Sequence, residues 1–158
     1  MHQRAEEFVA CASERYGLDV EVLEFSEGTE TAAAAADAVD CEVDQIASSL
    51  VFLVAGDPVV AVTSGANRVS ERALADHFGV DAGDVAMASP DAIRETLGWS
   101  IGGVPPICHD TAVPVLFDPH LTEYDVVWAA AGTPESMWPV DPARLRRLAD
   151  ATVVDVTE

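Results

Sequence analysis

The chain has 158 residues, about half of them hydrophobic, and carries 28 acidic side chains against 8 basic ones for a formal charge of −20. That length suffices for one domain, residues 1–158, with a sizeable core, and no apolar run approaches the roughly 20 residues of a membrane-spanning helix. So large a charge keeps a chain in solution while its compact state repels itself, and the regular apolar pattern excludes an acidic disordered protein.

Taken in order, residues 4–16 place Ala5, Phe8, Val9, Ala12 and Tyr16 at helical spacing, with Gly17 as the stop. The segment before them is charged and lacks the apolar core of a signal peptide, so a cytoplasmic location is expected. Residues 19–25 alternate apolar and acidic side chains, as a strand with one wet face does. Thr29 or Thr31 caps the helix favoured by the alanine run from Ala32, which ends near Val39 or Asp40. Residues 46–55 read as a buried strand, turned by Gly56, Asp57 and Pro58 into a second strand over 59–64. Ser70 caps a helix that closes at Gly79, and residues 85–88 form a short strand. Ser89, Pro90 and Asp91 supply an N-cap, an N1 proline and a first-turn acid for a helix to Leu97. Strands are expected over 113–117, 124–131, 136–140 and 153–156, with a helix over 143–149 started by Asp141 and Pro142. This irregular interleaving of hairpins and short helices predicts an α+β fold on a mixed sheet rather than repeated βαβ units.

The densest stretch of conformationally special residues follows Leu97: Gly98, Trp99, Ser100, Ile101, Gly102, Gly103, Val104, Pro105 and Pro106. Glycines let the backbone pass where a Cβ would clash, and the prolines hold the loop in one shape. Such a loop is either a tight turn or a cradle whose bare N–H groups face an anion or a polarised carbonyl. Chemistry elsewhere is sparse. No P-loop, G-x-S-x-G elbow or H-E-x-x-H is present. The acids Asp40, Glu42 and Asp44 read as a solvated face, and His77 and His120 as surface or capping residues. Cys11, Cys41 and Cys108 form no C-x-x-C pair and are read as reduced thiols. Cys108 and His109 are sequence neighbours, which seldom point at one metal, so no metal site is expected; His109 alone among the histidines is placed to reach a ligand at the loop.

Two motifs read together carry a resemblance. Residues 44–52, from Asp44-Gln45-Ile46 through Ser48-Ser49-Leu50 to Phe52, resemble the "DQI-x-K-[ST]-L" strand of the YbaK/ProX aminoacyl-tRNA editing family, and residues 96–106 resemble its "TGY-x-x-GG-[IV]-[ST]-P" loop. Glu30-Thr31, the 115–118 strand ending in Asp118, Ala131-Gly132 and the 145–155 ending follow in the family's order, so the resemblance spans about Val20 to Val156. It implies a twisted mixed sheet, nearly barrel-like, flanked by short helices. It also implies hydrolysis of mischarged aminoacyl-tRNA at its 3′ end, in trans, with an aminoacyl-tRNA synthetase as a further candidate partner, and without cofactor, metal or covalent intermediate. Gly102, Gly103 and Val104 would hold the aminoacyl carbonyl and Ser48 would stand at the catalytic strand position. Ser49, Thr31, Phe52, Trp99, Ile101, Pro105 and His109 are the candidate substrate-binding residues.

The departures from the pattern shape the expectation. The family's strand lysine aligns with Ser48, its late serine with Ala130 and its nearby aspartate with Met137. A hydroxyl offers one neutral donor where an ammonium offers three and a full charge. The alternative to a deacylase is therefore a catalytically silent relative that binds aminoacyl-tRNA, an amino acid or a nucleotide; a plain interaction module that retains only the fold is a third. The chain has no lysine at all, and an acidic, lysine-free, alanine- and valine-rich composition resembles halophile proteins. A tRNA partner would need a local positive footprint from Arg68, Arg72, Arg94, Arg144, Arg146 and Arg147.

Overall fold

The computed structural model describes residues 2–25 and 31–158. Five helices, α1 (Gln3–Tyr16), α2 (Ala32–Val39), α3 (Glu71–Phe78), α4 (Pro90–Leu97) and α5 (Pro142–Leu148), surround one mixed sheet. Its strands are β1 (Leu23–Glu24), β2 (Ile46–Val54), β3 (Asp57–Ser64), β4 (Val85–Met87), β5 (Val115–Phe117), β6 (Val127–Ala130), β7 (Ser136–Val140) and β8 (Thr152–Val153). The order is β1-β7-β6-β2-β3-β5-β8, with β4 attached to β2 as well. The sheet does not close, and β1 and β8 are its edges.

The expected caps form. Thr31, Ser70 and Ser89 each accept a hydrogen bond from the backbone N–H three residues on, starting α2, α3 and α4. Thr29 and Glu30 lie outside the described residues. Several strands are shorter than their apolar patterns, β5 keeping only Val115–Phe117. Of residues 19–25 only Leu23 and Glu24 pair, against Met137 and Ser136. The 124–131 pattern pairs from Val127, since a 3-10 turn at Pro119–Glu123 occupies the approach. Only Thr152 and Val153 of the last strand pair, with β5. The hairpin turn is also tighter than expected. Ala55 and Gly56, both at positive φ, form a two-residue turn, and Asp57 already pairs with Val54.

β2 is the hub because its two faces bury different neighbours. Alternation sends Phe52 and Val54 to one side, where Val59, Ala61, Leu74 and Leu116 meet them. Ala47 and Val51 point the other way, into the main core with Phe8 and Ala12 of α1, Ile93 and Leu97 of α4, Trp138 and Phe117. Fully burying a side chain such as Phe8 or Leu74 contributes about 1.5–3 kcal/mol. α2 packs Ala35 and Ala36 on Ile46 and Met137, which sets Thr31 beside the start of β2.

Candidate functional site

Beside β2 lies a cavity of about 260 Å³, lined by Thr31 and α2, by 46–51, by Met87, Ala88 and Ile93, by Ile101, Gly102 and Val104, and by the β6–β7 turn. In a chain of charge −20, no lining residue among the described ones carries a charge. Met87 and Ile101, 57 % and 54 % exposed, form apolar lips.

The glycine loop owes its shape to specific contacts. Gly102 has φ +85, a conformation that L side chains rarely adopt. Gly103 donates its N–H to the Ser100 carbonyl at 3.0 Å and accepts from the Gly132 N–H at 3.1 Å. A Cβ on Gly103 would lie 2.8 Å from Thr133 Cα and N, so this position admits nothing larger. Gly103 therefore anchors the loop, and its N–H is already engaged. The N–H groups of Gly102 and Val104, both cavity-lining, have no hydrogen-bond partner among the described residues.

Six candidates gather here: Thr31, Ser48, Ser49, Ile101, Gly102 and Val104 all line the cavity. Thr31 Oγ1 accepts from the Ala34 N–H at 3.1 Å as the α2 cap. Ser48 is half-buried opposite Thr63, and Ser49 Oγ is buried without a hydrogen-bond partner. Gly103 sits immediately behind this wall.

The other four lie elsewhere. Phe52 is buried on the α3 side of the sheet. Trp99 is 5 % exposed; its indole N–H donates to the Cys108 carbonyl at 2.8 Å, and the Arg4 guanidinium stacks 4.3 Å from its ring centroid. Pro105 is buried, and its carbonyl accepts from His109 Nε2–H at 2.8 Å. His109 faces a second cavity with Arg15, Tyr16 and His77; burial lowers its pKa, and the neutral ring keeps its Nε2 proton on Pro105. Burial likewise raises the pKa of the neighbouring Cys108 thiol and keeps it protonated. Trp99, Pro105 and His109 thus brace the loop from behind, along a run of seven buried residues, 103–109.

Sequence reasoning missed Thr133 and Ser136. Their hydroxyls meet at 2.6 Å in the cavity wall, and Thr133 Oγ1 also accepts from the Glu135 N–H at 3.2 Å. The Thr-Pro-Glu-Ser turn directly after Ala131-Gly132 was the available signal, since such hydroxyls bond locally to turn backbone. Asp118 proves structural: buried, it accepts from Ser64 N–H, the Asn67 amide and His120 N–H at 2.9–3.1 Å. His120 is not a lone histidine. Its ring nitrogens meet Asp44 Oδ2 at 2.6 Å and Glu123 Oε2 at 2.5 Å, which raises its pKa and lowers that of Asp44.

An open mixed sheet with a glycine-loop cavity against its central strand defines a class, and comparison with known proteins agrees. Residues 26–148 match the family model of the aminoacyl-tRNA editing domain, and the chain belongs to that family. It is 31 % identical over 146 residues to the uncharacterized protein YwhH of Bacillus subtilis (strain 168), spanning 90 % of each chain. Among solved structures it resembles a proposed trans-editing enzyme for prolyl tRNA synthetase, with TM-score 0.93, 35 % identity and coverage of 100 % of this chain and 99 % of that one. The hypothetical protein APE2540 superposes with TM-score 0.82 at 25 % identity, over 99 % of this chain and 100 % of that one.

Proposed function

We propose that this protein removes the amino acid from mischarged aminoacyl-tRNA in trans, with the 3′-terminal aminoacyl ester in the cavity beside β2. The observation that carries this reading is the pair of unengaged N–H groups, Gly102 and Val104, on an uncharged cavity wall in a chain of the editing-domain family. N–H groups aimed at an ester oxygen stabilise the negative charge that grows there during attack, and more strongly where water is scarce. Gly103, whose own N–H is engaged by the Ser100 carbonyl, holds both donors in place. Water or the ribose hydroxyl next to the ester is the nucleophile, and Ser48 contributes a neutral hydrogen bond in place of the family's lysine.

The second reading is a silent family member that binds the same end without hydrolysis, and Ser48 is the observation that favours it. Losing a charged transition-state contact costs roughly 100- to 1000-fold in rate. The two are separated by deacylation assays at high salt with tRNAs charged with several small amino acids. Release above the uncatalysed rate is expected; binding without release for every one of them establishes the silent reading instead.

A further inference from the structure

β2 is paired on one side along its whole length by β3, but on the other side it is paired only at its ends. The parallel ladder with β6 stops at Ala47, opposite Ala129. The next β6 carbonyl, that of Ala130, accepts the Trp138 indole N–H at 3.0 Å. At the other end, the Val51 carbonyl accepts from the Ala88 N–H at 2.9 Å, and Phe52–Val54 pair with β4. Between these ladders lies a break one residue wide.

Alternation decides what faces the break. Backbone groups two residues apart on a strand point to the same side. The Val51 carbonyl points to β4, and the Ile46 carbonyl points to the β3 side, where it accepts from Gly65 N–H at 2.8 Å. Ser49 therefore aims both its N–H and its C=O into the break, where neither finds a partner among the described residues. Its Oγ is likewise buried and unpartnered, and Ser49 lines the cavity. Three polar groups of one residue stand without a protein partner beside the cavity, and the buried Oγ is of a kind that is rare in folded proteins and costly unless a ligand completes it.

We propose that the break is the docking edge for the α-amino-acyl group, which pairs with Ser49 as a strand one residue long. The inference rests on the aminoacyl-ester reading of the cavity. An α-amino acyl group offers an N–H donor and a C=O acceptor on either side of one Cα, the same complement that an opposing strand residue presents. Its α-amino N–H donates to the Ser49 carbonyl, and the Ser49 N–H donates to the acyl carbonyl oxygen. That oxygen has two lone pairs, so one remains for Gly102 or Val104 N–H. With no carboxylate among the described lining residues, the Ser49 oxygens are acceptors suited to the amino group. Main-chain pairing supplies affinity without reading the side chain, as in other strand-addition complexes. The edge thus selects for an α-amino group, while the remaining walls select the side chain.

The test uses the full chain and adenosine analogues in which the 3′ ester is replaced by an inert amide, carrying small neutral amino acids, with desamino counterparts in which hydrogen replaces the α-amino group. The backbone amide of Ser49 is followed by NMR and hydrogen exchange, and affinities by calorimetry. The amino-acyl analogue is expected to shift the Ser49 amide resonance and slow its exchange at least about tenfold. The desamino forms should bind about tenfold more weakly, the usual effect of losing one good hydrogen bond. An amino-acyl analogue that binds while leaving the Ser49 amide unchanged, or desamino binding of equal strength, overturns the proposal. Pairing at Ser49 with no ester hydrolysis upholds the edge and removes the deacylase reading. Hydrolysis without pairing does the reverse, and failure of every analogue to bind overturns both.

Discussion

The Gly103 carbonyl accepts the Gly132 N–H at 3.1 Å, joining the glycine loop to the β6–β7 turn across the floor of the cavity. Two segments some thirty residues apart in sequence thereby become one wall. The joint tolerates no side chain, since a Cβ on Gly103 would come within 2.8–2.9 Å of backbone atoms of Thr133 and Gly132. Gly103→Ala should displace the loop and the Gly102 and Val104 donors with it. A loss of on the order of 100-fold in deacylation is expected, as for removal of an oxyanion donor. Single-turnover kinetics beside a thermal melt checks this, because a loop defect lowers the rate far more than the melting temperature.

Ser48→Lys restores the family's strand residue to a wall that carries no charge. The ammonium adds a charged contact to the developing oxyanion, and deacylation should rise by on the order of 100-fold. Rates with Ser48→Lys and Ser48→Ala, compared on one charged tRNA, check the prediction; equal rates for both variants would refute it.

His120 lies between Asp44 and Glu123, and hydrogen bonds to the two carboxylates raise its pKa. A raised histidine pKa stabilises the fold fully below the unfolded value, and the contribution fades as pH climbs through the folded one. Asp44 has the opposite sign. Its pKa is lowered, chiefly by the bond to His120, so its contribution is present above the usual carboxylate value and fades as pH falls through the depressed one. The bridge therefore acts between those limits. His120→Gln should lower the melting temperature most near pH 5–6 and progressively less above the histidine range, as melts across pH would record. Because the groups are open to solvent, molar salt should shrink the difference.

Arg144, Arg146 and Arg147 stand exposed on α5 and make no ion pair among the described residues. By contrast, Arg4, Arg68 and Arg94 each lie beside a carboxylate. Three unpaired cations on one short helix of a strongly acidic protein suit phosphate contacts. Replacing all three with glutamine should weaken tRNA binding and flatten its salt dependence by about 2–3 in the log–log slope. Binding titrations at several salt concentrations measure that slope.

Trp99→Phe keeps the ring but removes the N–H that satisfies the buried Cys108 carbonyl. A stability loss of about 1–3 kcal/mol is expected from the orphaned acceptor. Denaturant unfolding gives the value, and an accompanying fall in activity would follow from slackening of the 99–108 brace.

Much of this protein was legible in its residues because caps, turns and alternation are local. Ser70 and Ser89 mark helix starts through bonds to an N–H three residues on, and Gly17 and Gly79 mark helix ends. The family motifs likewise marked residues 44–52 and 96–106 as the two segments of the implied site. Strand lengths were less legible, since a strand extends only as far as its neighbour's edge. The 19–25 pattern could not disclose that β7 would pair with just two of its residues.

The sequence by itself determined the elements, the loop and its two free donors' neighbourhood, since each follows from residues a few positions apart. Only the tertiary structure decided which groups face the cavity. It sent Phe52 to the α3 side of the sheet and engaged Gly103 with Ser100 and Gly132. It also left the main chain of Ser49 unpaired among the described residues, between the β6 ladder that ends at Ala47 and the β4 ladder that begins at Phe52. Hydrogen bonds between distant segments compete for the same donors and acceptors, and that competition is settled only when the whole sheet is assembled.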